Sequence, residues 1–135
     1  MAGYSGTPLV TKLGIKGGHR VLVLGAPAGF RDTLGALPDG VRQSTRHGAG
    51  PWDVVVVFVK TRAMLATRMK ALRAVLQPNG GLWAAWPKKS SGMKTHVTED
   101  SVRAVAFPLG LVDNKVCAID ETWSGLRCVI RLENR

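Results

Sequence analysis

Gly80-Gly81-Leu82-Trp83-Ala84-Ala85-Trp86-Pro87-Lys88-Lys89-Ser90-Ser91-Gly92 is the stretch on which the fold turns. Two glycines make a turn, an apolar run with two tryptophans follows, and a proline closes it. An apolar run without alternation, bounded by glycine and proline, reads as a central strand buried on both faces. Pro87 marks where the ladder stops, because it has no N–H to donate. Trp83 and Trp86 lie three apart, so on a strand they point to opposite faces and both are expected in the core. The loop beyond puts two lysines and two hydroxyls before a glycine. That set suits an anion and would serve equally as an ordinary solvated loop.

Upstream, Trp52-Asp53-Val54-Val55-Val56-Val57-Phe58-Val59 is a second continuous apolar run, again a strand covered on both faces. Thr61 then caps a helix predicted through Gln77, in which Leu65, Met69, Leu72 and Leu76 form one apolar face. Arg62, Lys70 and Arg73 fall on the other side, and Pro78-Asn79-Gly80-Gly81 ends the helix. His19 to Leu24 is a strand that enters Gly25-Ala26-Pro27-Ala28-Gly29. Phe30 to Leu37 has room for about two helical turns. Val41 to Thr45 is a short polar edge strand, and Gly48-Ala49-Gly50-Pro51 breaks the chain. At the start, Thr7-Pro8 opens a short helix closed by Gly14.

Downstream, Thr98 caps another helix, whose Glu99 and Asp100 suit the positive end of its dipole, and Pro108 and Gly110 close it. Lys115 to Ile119 and Leu126 to Leu132 are the last strands, joined by Asp120 to Gly125. Alternating strands and helices with short connections predict an α/β fold. The expectation is a single-domain, Rossmann-like three-layer sandwich over 1–135, its mostly parallel sheet ending in an antiparallel hairpin.

At 135 residues, 45% hydrophobic and 21% charged, the chain can build a core without disulfides and is not disordered in composition. No run approaches the roughly 18 apolar residues of a membrane span. Met1 to Gly6 lacks the basic start and apolar core of a signal peptide, so a cytoplasmic location is expected. Cys117 and Cys128 read as small buried hydrophobes; a tight hairpin centred on Thr122-Trp123 would set them face to face. The net charge is +10, and residues 51–95 hold most of the excess, with eight Lys/Arg against one acid. A basic region raises the local concentration of anions, whether small phosphorylated molecules or nucleic acid, although a basic total also arises without any partner.

Leu13-Gly14-Ile15-Lys16-Gly17-Gly18-His19-Arg20-Val21-Leu22-Val23-Leu24-Gly25 resembles the opening of Rossmann-like class I methyltransferases. Trp52-Asp53-Val54-Val55 looks like their fourth strand, Gly80-Gly81-Leu82-Trp83 like their fifth, and the closing hairpin like their last two, with one strand-helix unit missing. The resemblance implies a ligand at the carboxyl edge of the sheet. The family's acid at the first strand end and its closely spaced glycines are replaced here by Leu24, Gly25 and Gly29. Where an acid would hold ribose hydroxyls, Ser44-Thr45-Arg46-His47 stands instead. Those cations oppose S-adenosylmethionine and tolerate a phosphate. The chain also resembles an uncharacterised family of small bacterial proteins, a domain of unknown function. That likeness is carried by Gly3 to Leu9, Gly81 to Gly92 and Gly110 to Arg127, and it implies a Rossmann-like fold without an activity.

Ligands of open parallel sheets bind outside the carboxyl ends of the strands. Five loops should meet there: Gly25–Gly29, Arg46–Gly48, Lys60–Arg62, Pro87–Gly92 and Asp120–Ser124. The candidate ligand-binding residues are Gly25, Gly29, Lys60, Arg62, Lys88, Lys89, Ser90, Ser91, Asp120 and Trp123. The helix after Gly29 would add free N–H groups for an anion. The glycines would equally serve strand-to-helix packing, and Asp120 with Trp123 a turn. His19, His47 and His96 lack metal-ligand spacing, and no nucleophile-base pairing is recognised. A non-catalytic domain binding a phosphate-bearing or other anionic small ligand is therefore expected. The alternatives are nucleic-acid binding by the basic 60–94 region and a divergent S-adenosylmethionine-dependent methyltransferase. No cofactor is specified by the residues alone.

Overall fold

The computed structural model describes residues 7–48 and 50–135. Met1 to Gly6, on which part of the family likeness and the expectation about a signal peptide rest, and Ala49 in the Gly48–Pro51 break lie outside them. Among the described residues, six strands form one sheet: β1 (Arg20–Leu24), β2 (Arg42–Ser44), β3 (Trp52–Phe58), β4 (Leu76–Pro87), β5 (Leu111–Ala118) and β6 (Trp123–Ile130). Their spatial order is β2-β1-β3-β4-β6-β5. The first four in chain order are parallel, and β6 runs antiparallel between β4 and β5. This is a Rossmann-like mixed α/β sheet.

Continuous apolar strands demand cover on both sides, and the helices supply it. Leu22, Val55, Val57, Leu82 and Ala84 face α3 (Arg62–Arg73) and α4 (Glu99–Ala106), through Leu65, Met69, Leu72, Val102 and Ala106. Val21, Val23, Val54, Val56, Trp83 and Ala85 face α1 (Leu9–Leu13) and α2 (Phe30–Leu34), through Val10, Leu13, Phe30 and Leu34. Trp83 and Trp86 enter opposite layers, as their spacing predicts. Trp83 is fully buried, and its indole N–H donates to the Leu13 carbonyl at 3.1 Å, pinning the end of α1 to the middle of the sheet. Thr98 caps α4 as expected, exchanging hydrogen bonds with Ser101.

Several boundaries differ from the sequence reading. The third helix stops at Arg73, and Leu76 already belongs to β4, paired with Trp52. Its side chain still joins the Leu65–Met69–Leu72 core, so the periodicity was right about burial and wrong about conformation. Between Trp52 and Val54 the ladder shifts, and the chain from Gln77 to Gly80 bulges out to restart at Gly81 opposite Val54. Pro78, without an N–H, falls inside that bulge. α2 is shorter than predicted because Gly35, at φ 77°, turns the chain away. The last strand begins at Trp123 and ends at Ile130, leaving Leu132 exposed in a short 3-10 turn.

The cysteines do not face each other. Cys117 pairs with Gly125 and Cys128 with Asp113, and a register shift near Asp113 separates the two pairings. Cys128 packs in the α3/α4 core and Cys117 borders the α1/α2 core, so their side chains leave opposite faces of the hairpin. Burial pushes the Cys128 thiol up from 9.0 to about 12, with Asp113 adding in the same direction. A raised folded-state value means that the folded chain holds this proton more tightly. Its contribution is therefore complete below pH 9.0 and is lost as pH climbs towards about 12. Urea titrations across that window should show the wild type losing stability relative to Cys128→Val by up to about 1.4 kcal/mol per pH unit. Parallel pH profiles for the two proteins would refute this.

Candidate ligand-binding site at the carboxyl edge

The strand order runs outward in both directions from the β1–β3 pair, so the crevice between the ends of these strands is the topological switch point. A cavity of about 620 Å³ opens there, a size suited to one small organic ligand. One wall is the loop Gly25–Ala28, a second is Phe58 to Thr61 with Met64 from the first turn of α3, and a third is Asp120, Thr122 and Trp123, with Met93 across from them.

Backbone geometry explains why these loops meet. Gly25 has φ +70°, and a β-carbon there would lie 2.9 Å from the Phe58 carbonyl oxygen. Only glycine lets the end of β1 pass this close to the end of β3. Phe58 in turn stacks edge-to-face with Phe30 and with Trp123, both at 5.0 Å between ring centroids. The three rings tie the start of α2, the end of β3 and the start of β6 into one floor. Asp120 shapes the hairpin tip: its Oδ1 accepts the N–H groups of Thr122 at 2.8 Å and Trp123 at 2.7 Å. The Lys88 N–H donates to the Thr122 carbonyl at 2.8 Å, so the loop after β4 is tied to that same tip.

Of the candidate residues, the structure brings Gly25, Lys60, Asp120 and Trp123 to this cavity. Gly29 lies outside its lining and caps α2 at φ 83°. Arg62 lies over a separate groove with Thr98 and Ser101, and its Nε donates to the His96 carbonyl at 3.0 Å. Lys89 and Ser90 are exposed and Lys88 is half-buried, all outside the lining. Ser91 spends its hydroxyl locally, donating to the Lys88 carbonyl at 2.6 Å and accepting from the Met93 N–H at 3.2 Å. The start of α2 offers an anion little. The amides of Phe30, Asp32 and Thr33 already donate to Pro27 and Gly29, and Asp32 adds a carboxylate.

Phe58, Val59, Met64 and Met93 are the lining residues outside the five loops expected from the sequence. Met64 carried a signal: it stands off the apolar face of its helix and is 46% exposed, where a polar residue would be ordinary. Met93 carried none, since its place depends on how the loop after β4 folds back.

An open sheet with a reversed sixth strand defines a Rossmann-like fold of the methyltransferase type. No protein-family model and no characterised protein matches the chain by sequence. By structure, the chain is similar to a SAM-dependent methyltransferase from Aquifex aeolicus at TM-score 0.64 and 14% identity, over 91% of this chain and 88% of that one. It is also similar to DhpI in complex with SAH, at TM-score 0.60 and 13% identity, over 87% of this chain and 78% of that one. A third is the magnesium protoporphyrin IX methyltransferase of Synechocystis with bound SAH, at TM-score 0.59 and 12% identity, over 91% and 78% of the two chains. Identities this low establish the fold and leave activity open.

The residues present do not fit S-adenosylmethionine as that family holds it. Beyond β2, Thr45, Arg46 and His47 are exposed and the Ser44 hydroxyl is bonded to the Arg46 backbone, so no carboxylate awaits a ribose there. The acid in the lining, Asp120, spends its Oδ1 on its own turn, and its Oδ2 accepts no hydrogen bond among the described residues.

Gly25 combines a left-handed φ with a backbone contact, whereas a β-carbon on Gly29 would meet nothing within 4 Å. Gly25→Ala should therefore cost about 1–3 kcal/mol in urea unfolding. Gly29→Ala should cost only about 1 kcal/mol, from its φ alone. Equal costs would contradict the close approach of β1 to β3.

Proposed function

We propose that the chain is a non-catalytic small-molecule-binding domain on the methyltransferase fold, with its ligand in the carboxyl-edge cavity. The observation that carries this reading is the position of that cavity at the switch point between β1 and β3. Its walls suit a flat, largely apolar body the size of a nucleoside. Trp123, Phe58, Met64 and Met93 supply aromatic and thioether surface, and the Gly25–Ala28 backbone can approach closely. Lys60 is the one cation in the lining, so an anionic group on the ligand has a single counter-charge. Lys88 and Lys89 stand on the neighbouring loop and add only long-range attraction.

A divergent S-adenosylmethionine-binding methyltransferase is the second reading, favoured by structural neighbours that carry SAH. The two readings differ in charge preference. S-adenosylmethionine brings a sulfonium cation into a chain of net charge +10, whereas its demethylated product and adenosine monophosphate do not. In isothermal titration we expect adenosine monophosphate and S-adenosylhomocysteine to bind more tightly than S-adenosylmethionine. Lys60→Ala should weaken the first two about tenfold, the loss of one charge-assisted contact. Tightest binding of S-adenosylmethionine would favour the second reading. No binding of any of the three would sink both.

A further inference from the structure

The opposite, amino edge of the sheet holds a second cavity of about 400 Å³, on the α1/α2 face. It gathers Lys12 and Lys16 from the end of α1 and its loop, Asp53 from β3, and Lys115 and Arg127 from the hairpin. Lys16, Lys115 and Arg127 thus share this lining with one carboxylate, and that carboxylate is already engaged: Asp53 Oδ2 accepts the Arg20 backbone N–H at 2.8 Å.

Arg127 is the anomalous group. It is half-buried, yet it takes part in none of the ion pairs and in no side-chain hydrogen bond among the described residues. Burial lowers its pKa, and the charge of Arg135 adds in the same direction. Lys115 stands directly opposite it in the β5–β6 ladder, a like-charge cross-strand pair that is unfavourable on its own. The sheet nevertheless makes room for this guanidinium: a β-carbon on Gly81 would lie 2.5 Å from Arg127 Nε. Lys115 Nζ is held towards the same cavity by the Lys12 carbonyl at 3.2 Å. A space cleared for an unpaired, desolvated cation beside a second cation lacks one component, the counter-anion.

We propose that this amino-edge cavity binds a phosphate-bearing small molecule, gripped by Arg127 and Lys115 with Lys16 adding to the counter-charge. Two facing cations with Lys16 beside them match a multiply charged group better than a single carboxylate, and guanidinium with ammonium is the pairing that phosphate oxygens favour. Asn79 and Asn114 add amide donors and acceptors for a hydroxylated body. The cations line a concavity of one-ligand size, whereas a nucleic acid would be met by a stripe along the surface. The site is distinct from the carboxyl-edge cavity. Gly81 and Pro87 mark the two ends of the β4 run, about 20 Å apart at strand rise.

The test is isothermal titration and thermal unfolding with sodium pyrophosphate at low ionic strength, beside sodium chloride of matched ionic strength. The wild type should bind pyrophosphate with saturation, and chloride should not reproduce the thermal shift. Arg127→Met should be at least as stable as the wild type without ligand, because a half-buried charge without an acidic partner is gone, yet lose about tenfold or more in affinity. Lys115→Gln should lose affinity by a similar factor, which keeps the test valid if the first variant folds poorly. Lys88→Ala with Lys89→Ala, on the other edge, should change nothing. Unchanged affinity in both Arg127→Met and Lys115→Gln, or a chloride shift equal to that of pyrophosphate, would overturn the proposal. So would a single-stranded RNA that binds more tightly and that pyrophosphate does not displace.

Discussion

Two strands, β3 and β4, have to be covered on both faces, and the rest of the molecule follows from that need. Val54 to Val59 and Leu82 to Trp86 contribute alternately to two separate cores and have almost no solvent contact. A sheet built this way needs a helical layer on each side, and parallel strands need crossovers to carry the chain back. Trp83 is the clearest single instance. Its ring fills the α1/α2 layer while its N–H satisfies the carbonyl at the end of α1, so one side chain fixes both packing and position.

The same constraint decides where polar chemistry can be. No polar or charged residue is buried among the described residues, so charge stays at the surface, on the outer faces of the helices and around the ends of the strands. The ends differ. At the carboxyl edge, Gly25, Phe58 and Trp123 bring three strand ends together around a mainly apolar cavity with one lysine. At the amino edge, α1 returns over the sheet and the hairpin carries Lys115 and Arg127 beside it, so cations collect in a concavity. The basic loop Lys88–Ser91 belongs to neither lining. Its backbone is occupied in holding the hairpin tip, through the bond from Lys88 to Thr122.

The layers were legible in the sequence because burial on two faces leaves unbroken apolar runs, and Thr61 and Thr98 announced their helices by capping. Leu76 was misassigned because helix spacing and strand burial asked for the same thing, an apolar residue beside Leu72. Only the pairing of Leu76 with Trp52 distinguishes them. The cysteine pairing failed because the hairpin turns about Glu121, with Ile119 bonded to Trp123 and Ala118 opposite Ser124, and not about Thr122-Trp123. That earlier turn sets Gly125 opposite Cys117.

For the candidate sites the division is sharper. Gly25, Lys60 and Asp120 were recognisable because each lies just beyond a strand end, and Trp123 because it stands in the short turn between the last two strands; such ends can be read from apolar runs and their punctuation. Which loops then share a wall, and which cations lack a partner, depends on contacts between residues far apart in the chain. Arg127 reads as an ordinary strand residue until Gly81 is seen to clear space for it and Lys115 is seen opposite. The sequence by itself determined the layers, since local apolar patterning decides which segments must be buried. The tertiary structure alone decided the two cavities and their charges, because convergence and register, and with them which side chains meet an acidic partner, are properties of the packed sheet.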